Sequence, residues 1–498
     1  MSPSLIVFIL ALYFGLLVTV SFLTSKSKGN DGFFVGDRQS PWYLVAFGMI
    51  GTSLSGVTFL SVPGWVGNAN NQFSYMQAVL GYFIGYLIIT YVLMPIYYKM
   101  NVVSIYEYLK ERFGFFSHKT GAILFLVSRV IGASVRLMLV AEVLQSILFD
   151  GWGIRFEVTV SICILLIWIY TNRGGIKTIV WTDTLQTGFM LLSVFLTVYF
   201  ISNALPTTPH GGIINEVAHG PYSKIFFFED LYGSNHFLKH FFGGIFIAIG
   251  MTGLDQDMMQ KNLSCKNLKD AQKNMMSMAS VLILVNLLFL FLGALLYMYA
   301  AHGDIDFSKP DMLFSAVAMD PNTPIVIGVL FLLGLIAAAY SSADSALTAL
   351  TTSIYIDLVP EKSKNEQNQV SLRKGIHIMV SVLIIIVVLL LHHYTEDSAI
   401  DLLMKFAGFT YGPLIGIFFF GILTKTKIKD KLIPIISILA ITITFCLWSF
   451  SKGGPGTPAG QPGILGEYSF GYEIIILNAF LTFALLFIAS KLQSNKKK

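Results

Sequence analysis

Ser341-Ser342-Ala343-Asp344-Ser345 interrupts an apolar run, Pro324 to Leu358, that is built of Val, Ile, Leu, Phe and Ala up to Tyr340. The run is longer than the ~20 residues a helix needs to cross a bilayer. Hydroxyls and a carboxylate at membrane depth are costly, so such groups face a protein interior and mark an ion or substrate path. Hard cations such as Na⁺ prefer oxygen ligands, which hydroxyls, backbone carbonyls and a carboxylate supply. The segment predicts an ion-coupled transporter.

Composition agrees. Of 498 residues, 55% are hydrophobic and only 12% charged, against roughly 25% charged in a soluble protein; the mean hydropathy is +0.70. The solvent of this chain is mostly lipid. Cys163, Cys265 and Cys446 have no paired spacing, so neither a disulfide framework nor a zinc site is expected. Ser4 to Thr24 has no basic leader and is followed by Ser25-Lys26-Ser27-Lys28, which predicts a retained first helix with its N-terminus outside.

The hydropathy pattern predicts about thirteen spans of ~20 residues, at 4–24, 42–67, 73–98, 119–148, 154–171, 176–204, 236–262, 273–301, 324–358, 373–393, 398–424, 430–451 and 472–491. With the N-terminus outside, about 25 of the 33 basic residues fall in inside loops, as the positive-inside rule requires. They include Lys26, Lys28, Lys99, Arg173, Lys261, Lys266, Lys362, Lys364, Lys425 and Lys496. Outside lie only Arg155, Lys224, Lys239, Lys309 and Lys452. The C-terminus is then cytoplasmic. Gly453 to Gly463 reads as a flexible outside loop, and no soluble domain is expected.

Two spans carry glycine and hydroxyls at mid-depth. The second reads Gly51-Thr52-Ser53-Leu54-Ser55-Gly56-Val57-Thr58, then Ser61 and Pro63-Gly64; the seventh has Gly243-Gly244 and Gly250-Met251-Thr252-Gly253. Interrupted helices at matching places in two halves point to an inverted-repeat transporter and its central site. Close packing through small residues is the alternative for either segment alone.

These features, with Tyr106-Glu107-Tyr108-Leu109, Trp181-Thr182-Asp183 and Ala337 to Ser345, resemble the sodium:solute symporter family over nearly the whole chain. That family includes the sodium–glucose, proline, pantothenate and sialic acid symporters. The resemblance implies an all-α integral membrane protein with the leucine-transporter fold, a five-plus-five inverted repeat with discontinuous helices. Residues 1–498 then form one transporter domain: an extra helix 4–24, a first repeat 42–204, a second repeat 236–424, and two final helices within 430–491. It also implies a first sodium site of carbonyls from Gly51, Leu54 and Ala338 with the hydroxyls of Ser341 and Ser342. A second sodium site would combine Asp183, Asp344 and Ser345. The sialic acid branch has serine where Asp344 stands, so this carboxylate either tightens sodium binding, binds a proton, or pairs with Lys405 or an arginine.

For the substrate, the resemblance implies Ser53, Ser55, Thr58, Phe73 and Gln77 with an arginine, either Arg129 or Arg136. The alternative for either arginine is an internal ion pair with Glu142 or Asp255. Asp255 and Gln256, beside the seventh-span break, are further candidates for substrate hydroxyls. Tyr75, Trp65 and Phe73 are expected to be packing or lipid-facing residues rather than aromatic gates.

The chain is thus expected to import a small polar solute, such as a sialic-acid-like acidic sugar, another sugar or a carboxylate, with Na⁺. It would work as a monomer in the cell membrane, with no enzyme activity and no nucleic-acid partner. A proton-coupled transporter of the same fold is the nearest rival, with Asp344 or Asp183 carrying the proton. A channel would show a repeated filter or a ring of like charges, and a membrane enzyme a nucleophile or metal constellation; the sequence has neither.

Overall fold

The computed structural model describes residues 1–24, 30–206, 211–360, 369–394, 399–458 and 460–495. Lys26, Lys28, Lys362, Lys364 and Lys496 of the inside loops, and the side chain of Arg173, lie outside the described residues. Within them the secondary structure is helical, with no strand.

The main apolar helices are α1 (Pro3–Thr24), α2 (Trp42–Trp65), α3 (Tyr75–Met100), α4 (Phe115–Trp152), α5 (Phe156–Thr171), α6 (Gly175–Ala204), the bent pair α7 (Phe237–Gly253) and α8 (Gln256–Leu263), α9 (Leu268–Gly303), α10 (Ile325–Leu358), α11 (Gln369–Tyr394), α12 (Ala399–Leu423), α13 (Leu432–Ser449) and α14 (Ile474–Gln493). Eleven of these are long and apolar enough to cross by themselves, and α7 with α8 makes a twelfth. The expected thirteenth, residues 154–171, is the shorter apolar helix α5. It runs into α6 through a break at Gly175, where φ is +56°. A Cβ at Gly175 would lie 2.4 Å from the backbone of Phe33, so only glycine allows both the turn and the approach.

Burial sorts the helices. In α2 and α10, 89% and 78% of the apolar stretch is buried, against 28% in both α1 and α13. The first two are central and the others peripheral. Leu12 on α1 and Ile438 on α13 point outward, as lipid-facing residues do. The hydroxyl-rich helices are therefore the ones sequestered from lipid, because their polar groups need protein partners. α10 packs on α5–α6 and α2, α9 packs on α2, and α7 packs on α3.

Both expected helix breaks are present. In α2, Ser55 has φ +46° and ψ 174°, a backbone region otherwise left to glycine and costing about 1–3 kcal/mol. Gly51, Thr52, Ser53 and Leu54 precede it, and the last carbonyls before a break lack their usual intrahelical partners. The α7 helix ends in a wide turn over Ile249–Gly253. After Leu254 the chain restarts as α8, bent by 62°. Asp255 caps it by accepting hydrogen bonds from the N–H groups of Asp257 (2.9 Å) and Met258 (3.3 Å).

Candidate functional site: an oxygen-lined ion position, a buried charge chain and a central cavity

The first position lies between α2 and α10. Ser341 and Ser342 are buried on α10. Ser342 Oγ donates to the carbonyl of Ala338 at 3.2 Å, and Ser341 Oγ lies 3.5 Å from Thr52 Oγ1 on α2. Gly51 faces α6 so closely that a Cβ would lie 2.1 Å from Thr187 Oγ1. The structure thus brings α2 just ahead of its break against the serines of α10. Hydroxyls and carbonyls make a weak-field oxygen set suited to a hard monovalent cation.

Beside it sits a chain of buried charges. Asp183 on α6 accepts from Thr52 Oγ1 (3.1 Å) and Ser345 Oγ (3.5 Å). With its amide turned to satisfy both ends, Gln186 donates to the other Asp183 oxygen at 3.3 Å. The shortest contact to Asp183 comes from Lys261 on α8, whose Nζ is 2.6 Å from Oδ2 and 2.5 Å from Thr52 Oγ1. Lys261 is only 1% exposed. Sequence position counted it as an inside-loop charge; the bend after Leu254 instead turns it into the core. The chain continues from Lys261 to Asp257 Oδ1 (3.9 Å). Arg129 on α4 is paired with Asp257 and lies 3.8 Å from Asp255, and Asp255 also accepts from the Tyr411 hydroxyl.

Asp344 does not join this chain through a basic partner. The Tyr170 hydroxyl donates to it at 3.0 Å and the Ser345 N–H at 2.6 Å. Neither Lys405 nor an arginine supplies these bonds.

The central cavity, about 650 Å³ counting space open to solvent, is lined by Thr52, Ser53, Ser55, Thr58, Tyr75, Tyr82, Tyr86, Arg129, Arg136, Met251, Thr252, Met258 and Met404. The size suits a small organic solute. Of the expected substrate residues, the structure brings Ser53, Ser55, Thr58, Arg129 and Arg136 to this wall. It does not bring Phe73, Gln77, Asp255 or Gln256. Gln77 is engaged elsewhere: its amide donates to Asn235 O (3.1 Å) and accepts from Phe227 N (3.0 Å), pinning the loop before α7. Gln256 bonds Ile105 N (3.0 Å) and Val103 O (2.7 Å), Asp255 caps α8, and the Phe73 N–H donates to Lys224 O at 3.1 Å. Trp65 packs, donating to Ser74 Oγ at 3.2 Å. Tyr75, expected to pack, lines the cavity with Tyr82 and Tyr86. Spacings of seven and eleven residues put these three tyrosines on one helix face, a signal present in the sequence.

Many apolar spans, with two helices broken beside an oxygen-lined niche between α2 and α10, are the architecture of a transporter of the discontinuous-helix class. This chain belongs to the sodium:solute symporter family, whose model matches residues 33–428. It is 23% identical over 451 residues to the sodium/sialic acid symporter NanT of Aliivibrio fischeri, covering 86% of this chain and 85% of that one. It is 26% identical over 428 residues to the sodium-coupled monocarboxylate transporter 1 of Xenopus laevis, covering 81% of this chain. The matched region spans 64% of that relative's length. Among solved structures, a Na⁺-coupled sialic acid symporter in a substrate-bound, outward-open state superposes with a TM-score of 0.81 at 20% identity, over 98% of both chains. Mhp1, a nucleobase-cation-symport-1 transporter, superposes at 0.56 with 14% identity. The fold is therefore the leucine-transporter fold.

Proposed function

We propose that the chain is a sodium-coupled symporter that imports a small solute bearing a carboxylate, which Arg136 receives. The contrast between the two cavity arginines carries this reading. The charge of Arg129 is answered by Asp257 and Asp255, although its Nε has no partner among the described residues. Arg136 is buried in the same wall, and among the described residues both Nε and Nη1 lack a hydrogen-bond partner. A buried guanidinium with unmade hydrogen bonds is costly. A planar carboxylate fits its fork in two parallel bonds. Ser53, Ser55, Thr58 and the three tyrosines then offer hydroxyls to the rest of the solute. That the relatives carry sialic acid and monocarboxylates accords with this chemistry.

Sodium binds between α2 and α10, on Ser341, Ser342 and the carbonyls of Gly51, Leu54 and Ala338. Holding the end of a broken helix against α10 steadies the segment that presents Ser53, Ser55 and Thr58, so ion and solute favour the same state. Each sodium moving inward gains about 2.3 kcal/mol per 100 mV. The basic loops face the cytoplasm, with the N-terminus outside, and one chain is the transporting unit.

The test is uptake into proteoliposomes under an inward sodium gradient, over a labelled panel of sialic acid, a short monocarboxylate, glucose, proline and a carboxylate vitamin. Sodium-dependent uptake of a carboxylate-bearing member is expected. Uptake driven by a proton gradient without sodium would overturn the ion assignment, and uptake of glucose alone would overturn the role of Arg136.

A further inference from the structure

We propose that Lys261 is a tethered cation that occupies the second cation position of this transporter, so that the protein binds one sodium ion rather than two. The proposal rests on sodium binding at Ser341 and Ser342.

Asp183, Ser345 and Asp344 are the oxygen groups on which a second sodium would sit. Asp183 Oδ2 joins the first two of these, taking hydrogen bonds from Ser345 and also from Thr52. The Lys261 ammonium sits on that same oxygen at 2.6 Å, and its other close contact is Thr52 Oγ1 at 2.5 Å. These lengths match those of a hard cation to its oxygens, about 2.3–2.6 Å. An ammonium is a compact point charge with three donors, so it can satisfy a carboxylate and a hydroxyl as a metal ion would.

Displacement by sodium is opposed on two counts. A sodium ion sharing Asp183 Oδ2 would lie some 4 Å from the ammonium; at the effective dielectric of a buried site the repulsion amounts to about a thousandfold in binding. Lys261 also has no open route away. It is enclosed, with Asp257 one turn earlier on its own helix at 3.9 Å and Arg129 already on the far side of Asp257. Swinging towards Asp257 would leave Asp183 bare and crowd two cations onto one carboxylate.

Lys261 also lies on α8, immediately after the break in the seventh span, and it reaches Thr52 on α2 just ahead of the other break. It therefore ties the two broken spans together as a bound ion would, but without leaving at the end of a transport cycle.

Equilibrium binding of radioactive sodium to the purified full-length protein in lipid nanodiscs tests this without knowledge of the solute. The parent should bind one sodium per chain. Lys261→Met, which keeps the stem and removes the charge, should bind two. The double variant Lys261→Met/Asp183→Asn, which removes both members of the buried pair, should return to one. Lys261→Arg should stay at one. Two ions on the parent, or one on a folded Lys261→Met, would overturn the proposal while leaving sodium symport intact. No bound sodium on the parent would overturn the first site, and the proposal with it. Because the parent's own count decides between one and two, the test does not depend on the folding of Lys261→Met.

Discussion

Arg136→Lys separates the two cavity arginines. Arg136 lines the cavity and its Nε and Nη1 have no partner among the described residues, so a carboxylate bound along one edge of the guanidinium makes two charge-assisted hydrogen bonds there. Each such bond is worth about 1.5–3 kcal/mol. Lysine keeps the charge but offers a point rather than a fork, and one of the two bonds is lost. The expected cost is about 1.5–3 kcal/mol, a roughly ten- to hundredfold weakening of solute affinity, with the sodium requirement unchanged. Arg129→Lys should behave differently. Its partners are Asp257 and Asp255, and lysine can still neutralise one of them, so the main effect falls on thermal stability. The assay is calorimetric titration of the first solute found to be transported, run on both variants beside a melting curve. If Arg136→Lys binds as tightly as the parent, Arg136 does not hold the carboxylate. If Arg129→Lys alone loses affinity, the roles of the two arginines are reversed.

Ser342→Ala should raise the sodium concentration for half-maximal uptake at least tenfold while the fold persists, because a buried hydroxyl ligand is removed without adding bulk; unchanged sodium dependence in both Ser341→Ala and Ser342→Ala refutes the first site. Gly51→Ala should lower the melting temperature and abolish uptake, since its Cβ would meet Thr187 Oγ1 at 2.1 Å; adding Thr187→Ala should restore part of the loss, and no restoration would argue against that contact as the cause. Gln77→Ala should cost about 1–3 kcal/mol of stability through the unpaired Phe227 N–H and leave solute affinity unchanged, and a selective loss of affinity would return Gln77 to the substrate site.

Much of the architecture is legible in the sequence because the bilayer leaves few choices. Span lengths, the glycine and hydroxyl interruptions in the second and seventh spans, and the polar patch Ser341–Ser345 each have a direct physical meaning at membrane depth, and both breaks stand where they were expected. Charge was harder. A positive-inside count assigns a lysine by its distance along the chain, but after Leu254 the chain bends by 62° and carries Lys261 into the core. The Asp257–Lys261 spacing of four residues hinted at a paired face, though not at Asp183, which is 78 residues away. Gln77 and Gln256 are amides that serve backbone groups equally well, so residue type alone could not separate a solute ligand from a loop pin. Asp344 accepts from Tyr170, a neutral partner on a different helix that residue type alone did not indicate.

The buried alternation Asp183, Lys261, Asp257, Arg129, Asp255 also constrains how this sequence can drift. Losing one member of a buried pair strands its partner at a cost of about 3–5 kcal/mol, a large fraction of a domain's net stability of about 5–15 kcal/mol. Exchanging both members for neutral groups of similar volume is often nearly free. Single losses at these positions are therefore costly while paired exchanges are open. Descendants of this sequence are expected to change the row two residues at a time, through intermediates that stability alone will keep rare.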